Sequence, residues 1–314
     1  MKNFKNRLLY CIYYFLFWIV YFVFARLFFL LYYFEKSQGL GLSTAIETFF
    51  YGIQLDASFA AYLSFIPFLL MISSIIIDPK IIVKIIKWYT ISVIFFISLM
   101  LLIDAGLYQA WGVRIDTSLL PYLNTPQLMI SSASTFQLVS GILSWILISY
   151  IFIKLFKKIH QKNNEKLTNG SWLEMPFFLL ITAALIIPVR GGFQTIPVNQ
   201  SNVYFSNKMF ANHASVNFIW NFFNTLTHRS DGTNSYKYFD DETAINIINK
   251  TKNNLLKSTT DSILNTSRPN VILILWESLP AKIVGSLGGE SNVTPNLNKL
   301  SKEGILFTNF YANG

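Results

Sequence analysis

Glu277 and Ser278 stand where the apolar run Val271–Trp276 gives way to polar sequence. That run holds only Val, Ile, Leu and Trp, and Pro269 precedes it. A short segment apolar at every position predicts a parallel strand covered on both faces, not one half exposed to water. The carboxyl end of such a strand is where open α/β sheets place their ligands. A carboxylate fixed there is a candidate ligand for a hard divalent cation, or a candidate base. The neighbouring Ser278 hydroxyl is a weaker candidate, able to touch the metal shell or a substrate.

The elements that must hold Glu277 follow directly. Thr294 reads as an N-cap, Pro295 as the first helical residue, Leu297 and Leu300 as one apolar face, and Gly304 as the stop. Ile305–Tyr311 predicts a second strand. Thr294 is accounted for as a cap and Thr308 as a strand residue, so neither is taken as a nucleophile. The sum is a strand–loop–helix–strand unit, the opening of an α/β domain. Two strands and a helix bury too little apolar surface to fold alone. The expectation is a sequence truncated early in a larger catalytic domain.

Composition points to a membrane. Hydrophobic residues make up 53% and charged residues 13% of the sequence, outside the range of ordinary soluble domains. Five segments are long and apolar enough to span a bilayer: Leu8–Phe34, Ile53–Ile77, Ile85–Tyr108, Phe136–Phe156 and Trp172–Val189. The first is too long for a signal peptide and lacks a small-residue cleavage site, so it reads as a retained anchor. Basic residues set the orientation. Lys2, Lys5 and Arg7, then Lys80, Lys84 and Lys87, then Lys154, Lys157, Lys158, Lys162 and Lys166 fall on one side, against Lys36 and Arg114 on the other. The N-terminus is therefore expected in the cytoplasm and everything after Val189 outside. The formal charge of +9 is largely this topological bias, which argues against nucleic-acid binding.

Cys11 is the single cysteine, so the sequence contains neither an internal disulfide nor a zinc cluster. An exported region without disulfides fits a bacterial envelope. His160, His213 and His228 have no metal-binding spacing and are expected at surfaces or interfaces.

Three regions follow: a five-span membrane domain over 1–189, an extracytoplasmic linker over 190–267, and the start of the α/β domain over 268–314. The linker opens on the turn-rich RGGFQTIPVNQS. Asn207–Leu226 mixes aromatics with uncharged polar residues, which fits a helix at headgroup level or one packed on the catalytic domain. Asp240–Ser258 predicts a helix burying Ile245, Ile248, Leu255 and Leu256, with Asp240, Asp241 and Glu242 at its start. No internal repeat is visible, against a transporter built from duplicated halves.

Arg26 and Asp56 are charges placed inside spans, where such residues are paired or functional. Two readings stand. They form an ion pair that fixes helix packing, or Arg26 joins Arg114 to cradle the phosphate of a lipid, with Asp104 extending the patch.

Taken together, the five spans, the RGG-x-Q-T-x-P-x-N loop at 190–199, the helical linker, NVILILWES and TPNLNKLSKEGILFTNFYANG resemble the lipoteichoic acid synthase family, within the alkaline phosphatase and sulfatase superfamily. The resemblance implies a membrane enzyme whose extracytoplasmic domain transfers phosphoglycerol from a phospholipid such as phosphatidylglycerol, or cleaves a related ester. It implies Mn²⁺ or Mg²⁺ in the complete protein, with Glu277 as its first metal-ligating acid. It also implies a Thr or Ser nucleophile just after Gly314, so that no catalytic nucleophile lies within these residues. A sulfatase or phosphodiesterase of the same fold is the nearest alternative. A non-catalytic membrane scaffold, its sheet fragment serving as a docking stub, is the alternative from another class.

Overall fold

The computed structural model describes residues 2–124, 127, 134–164, 168, 170–228, 238–255, 268–277 and 279–308. It divides into two compact units, Met1–Ser235 and Tyr236–Gly314.

The first unit is helical. Five helices are long and apolar enough to cross a membrane: Asn3–Tyr32, Leu42–Ser73, Pro79–Trp111, Thr135–Gln161 and Trp172–Arg190. The second and third run 32 and 33 residues, about 48–50 Å at ~1.5 Å per residue, well beyond the ~30 Å of hydrocarbon. The predicted spans recovered their apolar centres and missed these extensions, because the added turns carry polar residues that water or a neighbour must satisfy. The third span starts on Asp78, whose carboxylate accepts from Lys80 N at 2.9 Å, with Pro79 as first helical residue. Gly112, at φ 69°, ends it in the left-handed conformation.

The first span is central. Its Tyr14, Trp18, Tyr21 and Phe22 are buried against the second, third and fourth spans. Tyrosine tips inside the bundle find partners: Tyr14 with Thr90 at 2.9 Å, Tyr21 with Ser98 at 2.8 Å, Tyr10 with His160 at 2.8 Å. Where no water competes, such bonds specify which helix faces which. The outward faces of the fourth and fifth spans stay apolar and exposed, as at Leu143, Leu147 and Leu180, which suits a lipid surround.

Residues 191–228 do not trail away as a linker. They fold back on one end of the bundle as a cap, with helices Met209–Ser215 and Phe218–Thr227. The aromatics expected at headgroup level or on another domain, Phe218, Trp220 and Phe222 among them, are buried against the spans. The lengthened spans supply the apolar surface that covers them.

In the second unit, helix Asp241–Leu255 begins where expected. Asp240 caps it, accepting from Thr243 N at 2.8 Å and from the Thr243 hydroxyl at 2.7 Å. These bonds hold the exposed Asp240 carboxyl below the usual carboxylate range. Ile245 and Ile248, expected to be buried, are exposed, and the side chains of Leu255 and Leu256 lie outside the described residues.

The expected α/β unit is not seen. Among the described residues there is no strand, and Val271–Trp276 is extended but 65–88% exposed. An extended segment becomes a strand only when a second one completes its ladder, and none lies beside it among the described residues. The other expected strand, Ile305–Tyr311, is irregular through Thr308 and outside the described residues after that. The intervening helix does form, Pro295–Glu303. Thr294 occupies the cap position without capping through its side chain; its hydroxyl donates to Ile283 O at 3.3 Å instead.

Candidate functional site

The cap end of the bundle gathers most of the charges the sequence singled out. The helix Met209–Ser215 is only seven residues long and ends among buried side chains. Of its last carbonyls, His213 O accepts from Val216 N at 3.2 Å and Asn212 O from the Ser215 hydroxyl at 2.7 Å, while Ala214 O and Ser215 O need donors from elsewhere. Two arginines from outside the helix donate to this end. Arg26 donates from Nε to Ala214 O and from Nη2 to Ser215 O, both at 3.0 Å. Arg114 donates from Nη1 to His213 O at 3.2 Å. Cations at a helix C-terminus are favoured by the dipole as well as by the bonds.

Each arginine has its own carboxylate. Arg26 and Asp56 meet through two parallel bonds of 2.6 and 3.0 Å, with both residues at most 3% exposed. Arg114 donates from Nε to Asp104 Oδ1 at 3.2 Å, and its Nη2 lies 2.9 Å from Oδ2 as a charge contact without a hydrogen bond. Asp104 Oδ1 also accepts from Ile115 N at 2.8 Å, which fastens the chain leaving the third span. The Arg114 guanidinium sits 4.0 Å from the centre of the Phe29 ring. Burial, followed by the nearby Arg26, pulls its pKa below the ordinary value while Asp104 opposes the shift.

Asp56 reaches the second cap helix as well. Asn217 Nδ2 donates to Asp56 Oδ1 at 2.9 Å, while Asn217 Oδ1 caps the helix by accepting from Trp220 N at 3.0 Å. One ion pair therefore ties the end of one cap helix to the start of the next. Gly52 makes the approach feasible: a Cβ there would fall 2.2 Å from Arg26 Nη2 and 2.6 Å from Ser215 O. His213, expected at a surface or interface, lies within this packing, its Nδ1 2.9 Å from the Tyr108 hydroxyl. Burial, and then Arg114, hold its pKa below the ordinary 6.5. Asn217 and His213 carried no sequence signal for these roles beyond being polar residues in an aromatic run.

The opposite end has a similar device that sequence reasoning missed. Arg7, read only as a topological charge, is fully buried. It donates to Ser74 O at 3.0 Å, Ser74 Oγ at 3.2 Å and Thr168 O at 2.7 Å, and pairs with Glu174 at 3.4 Å. The available signal was its position at the very edge of the first apolar run. His160, expected at a surface or interface, is buried between helices against Tyr10.

Glu277 is placed differently. It is exposed in a turn directly after the extended segment, and Ser278 lies outside the described residues. No group of three or more His, Cys, Asp or Glu that could hold a metal ion occurs among the described residues. The sequence after it is ordered locally. Asn298 Oδ1 accepts from Ser286 N at 2.8 Å, which pins the 285–289 turn to helix Pro295–Glu303. A Cβ at Gly289 would meet Lys282 O at 2.4 Å, so only glycine permits the turn to close.

Residues 269–314 match the sulfatase family model. The match supports the sulfatase and alkaline phosphatase-like superfamily, whose catalytic domains are generally metal-dependent, and does not single out one branch of it. No solved structure matches the chain. The chain thus joins a bundle of five potential membrane helices to sulfatase-like sequence.

Proposed function

We propose that this chain belongs to a membrane-embedded transferase of the lipoteichoic acid synthase type, moving phosphoglycerol from a phospholipid such as phosphatidylglycerol. The reading is supported by one combination: a five-span bundle and sulfatase-like sequence from residue 269 in the same chain. Five spans exceed what an anchor requires and would keep the reaction beside its lipid. The basic bias supports a cytoplasmic N-terminus with the cap and the second unit outside, and the single cysteine favours a bacterial envelope. In that reading Val271–Trp276 is a buried strand of the catalytic sheet. Glu277, with Ser278 beside it, is the first hard-oxygen ligand for Mn²⁺ or Mg²⁺. Among the described residues no group of three or more His, Cys, Asp or Glu could complete a metal site with Glu277.

Arg26, Asp56 and Arg114 are assigned a structural role. Arg26 already makes four hydrogen bonds and is 3% exposed; a lipid phosphate would have to displace both Asp56 and the helix end. Hydrolysis of a sulfate or phosphate ester is the second reading, favoured by the family matched at 269–314.

The test uses the product of the whole reading frame, reconstituted with fluorescently tagged phosphatidylglycerol. Released tagged diacylglycerol, lost on chelation and restored by Mn²⁺ or Mg²⁺, is expected. Glu277→Gln should abolish it at unchanged expression. Turnover of aryl sulfates with phosphatidylglycerol untouched would establish the second reading, and metal-independent turnover by Glu277→Gln would remove Glu277 from the site.

A further inference from the structure

The fifth span has no slack in its length. Trp172–Arg190 is 19 residues, about 28 Å at ~1.5 Å per residue, against a hydrocarbon thickness of about 30 Å. Arg190 must therefore lie at a membrane boundary, whichever way the chain is inserted. The loop that follows is tightly pinned. Gly191 and Gly192, at φ 78° and 132°, turn the chain out of the helix, and their amides donate to Pro188 O at 3.0 Å and Ile187 O at 2.9 Å. Val198 N closes the loop on Arg190 O at 2.9 Å, and Gln54 from the second span donates to Gly191 O at 2.9 Å. The Arg190 guanidinium turns inward, donating to Gln194 O at 3.3 Å and Thr195 O at 3.0 Å.

Held this way, the loop displays two large apolar side chains, Phe193 at 90% exposure and Ile196 at 70%. Water is a poor surrounding for both, and a rigid loop has no freedom to fold them away. The loop continues a span whose outward face, Leu180 and Ile186 included, is also exposed and apolar. It contains no charged residue between Gly191 and Pro197. We propose that Phe193 and Ile196 insert into the headgroup–acyl boundary of the bilayer as an interfacial anchor, fixing the depth of the fifth span and of the cap fastened to it. The occupant is lipid because the span's own length sets the loop at that depth. Aromatic and aliphatic side chains at such a boundary are favourable, and a span of minimal length gains from an anchor that resists sliding. This anchor is independent of the enzymatic reading.

The test replaces Cys11, the single cysteine of the sequence, by Ala, and introduces Phe193→Cys or Ile196→Cys separately. Each carries an environment-sensitive nitrobenzoxadiazole probe in vesicles of phosphatidylcholine and phosphatidylglycerol. Ser201→Cys, at an exposed polar position of the cap, is the reference. The expected result at 193 and 196 is blue-shifted emission, quenched by lipids carrying a nitroxide near the headgroup and at least ~3-fold less accessible to iodide than at 201. Iodide quenching equal to that at 201 overturns the proposal. So does blue-shifted emission insensitive to lipid nitroxides, which would place protein over the loop. The two probe sites answer separately, so a folding defect in one variant leaves the other decisive.

Discussion

Replacing Arg26 by Gln removes the centre of the cap network and leaves Asp56 buried with Asn217 Nδ2 as its side-chain donor. Breaking a buried pair from one side costs about 3–5 kcal/mol, because the abandoned charge stays desolvated. Ala214 O and Ser215 O lose their donors as well, and an unsatisfied buried carbonyl adds about 1–3 kcal/mol. Glutamine restores at most one of these bonds, so a net loss of about 4 kcal/mol is expected. By soluble-protein scaling of ~2–4 °C per kcal/mol for a unit of this size, Tm falls by about 8–16 °C. Arg26→Met with Asp56→Leu should cost less than Arg26→Gln alone, since the buried charge leaves with its partner. Tryptophan fluorescence during thermal unfolding in micelles of the wild type, Arg26→Met, Asp56→Leu and the double variant measures all four corners of the cycle. A coupling energy below ~0.5 kcal/mol, the level expected of independent sites, would refute the clamp. Unchanged Tm in Arg26→Gln together with lost lipid turnover would instead return Arg26 to the substrate.

Two further outcomes follow from the same packing. His213 has its pKa held below 6.5 by burial and Arg114, so below pH ~6.5 the unfolded chain binds a proton that the folded one refuses. The stability it contributes is present above that pH and is lost as pH falls toward the folded pKa; subtracting the Tm–pH curve of His213→Gln should isolate a decline on the acid side, and a flat difference would contradict the assignment. Gly52→Ala drives a methyl to within 2.2 Å of Arg26 Nη2 and 2.6 Å of Ser215 O. The backbone carbonyl cannot yield, so a loss of about 1–3 kcal/mol is expected, checked by the same unfolding assay; wild-type stability would mean the cap sits farther from the second span.

The apolar centres of all five spans were legible in the sequence because hydropathy over 20 residues depends on local composition alone. The pairing of Arg26 with Asp56 was legible for a related reason: a charge inside an apolar run has few affordable states, and a partner on the adjacent span is the commonest. The cap was not legible. Phe218, Trp220 and Phe222 declare that they need cover, but a sequence does not say whether lipid, another domain or the bundle itself provides it. The deciding fact is three-dimensional: the second and third helices are longer than a bilayer is thick, and the cap packs on their extra turns. Arg114 shows the same limit. Its position in a short outer loop suggested a place in a lipid-phosphate patch with Asp104, whereas Asp104 ten residues earlier pairs with it under the cap.

Glu277 marks the other boundary of inference. The apolar run before it encodes the demand for a sheet without encoding its neighbours, and a strand is a property of the ladder rather than of the residues in one rung. The cap and the second unit therefore differ in kind. In the cap, every buried charge has its counter-charge within the same fold, so the arrangement explains itself as structure. In the second unit, six apolar residues are exposed beside the exposed Glu277 turn, while the stretch from 280 to 304 already holds its own turn and helix through Asn298. Local order without burial is what a segment shows when its short-range contacts are sufficient for shape but not for stability. In the proposed reading, metal binding by Glu277 requires Val271–Trp276 to find its sheet, since a carboxylate on an unpaired extended segment spends entropy to hold a cation that one on a buried strand would hold already positioned.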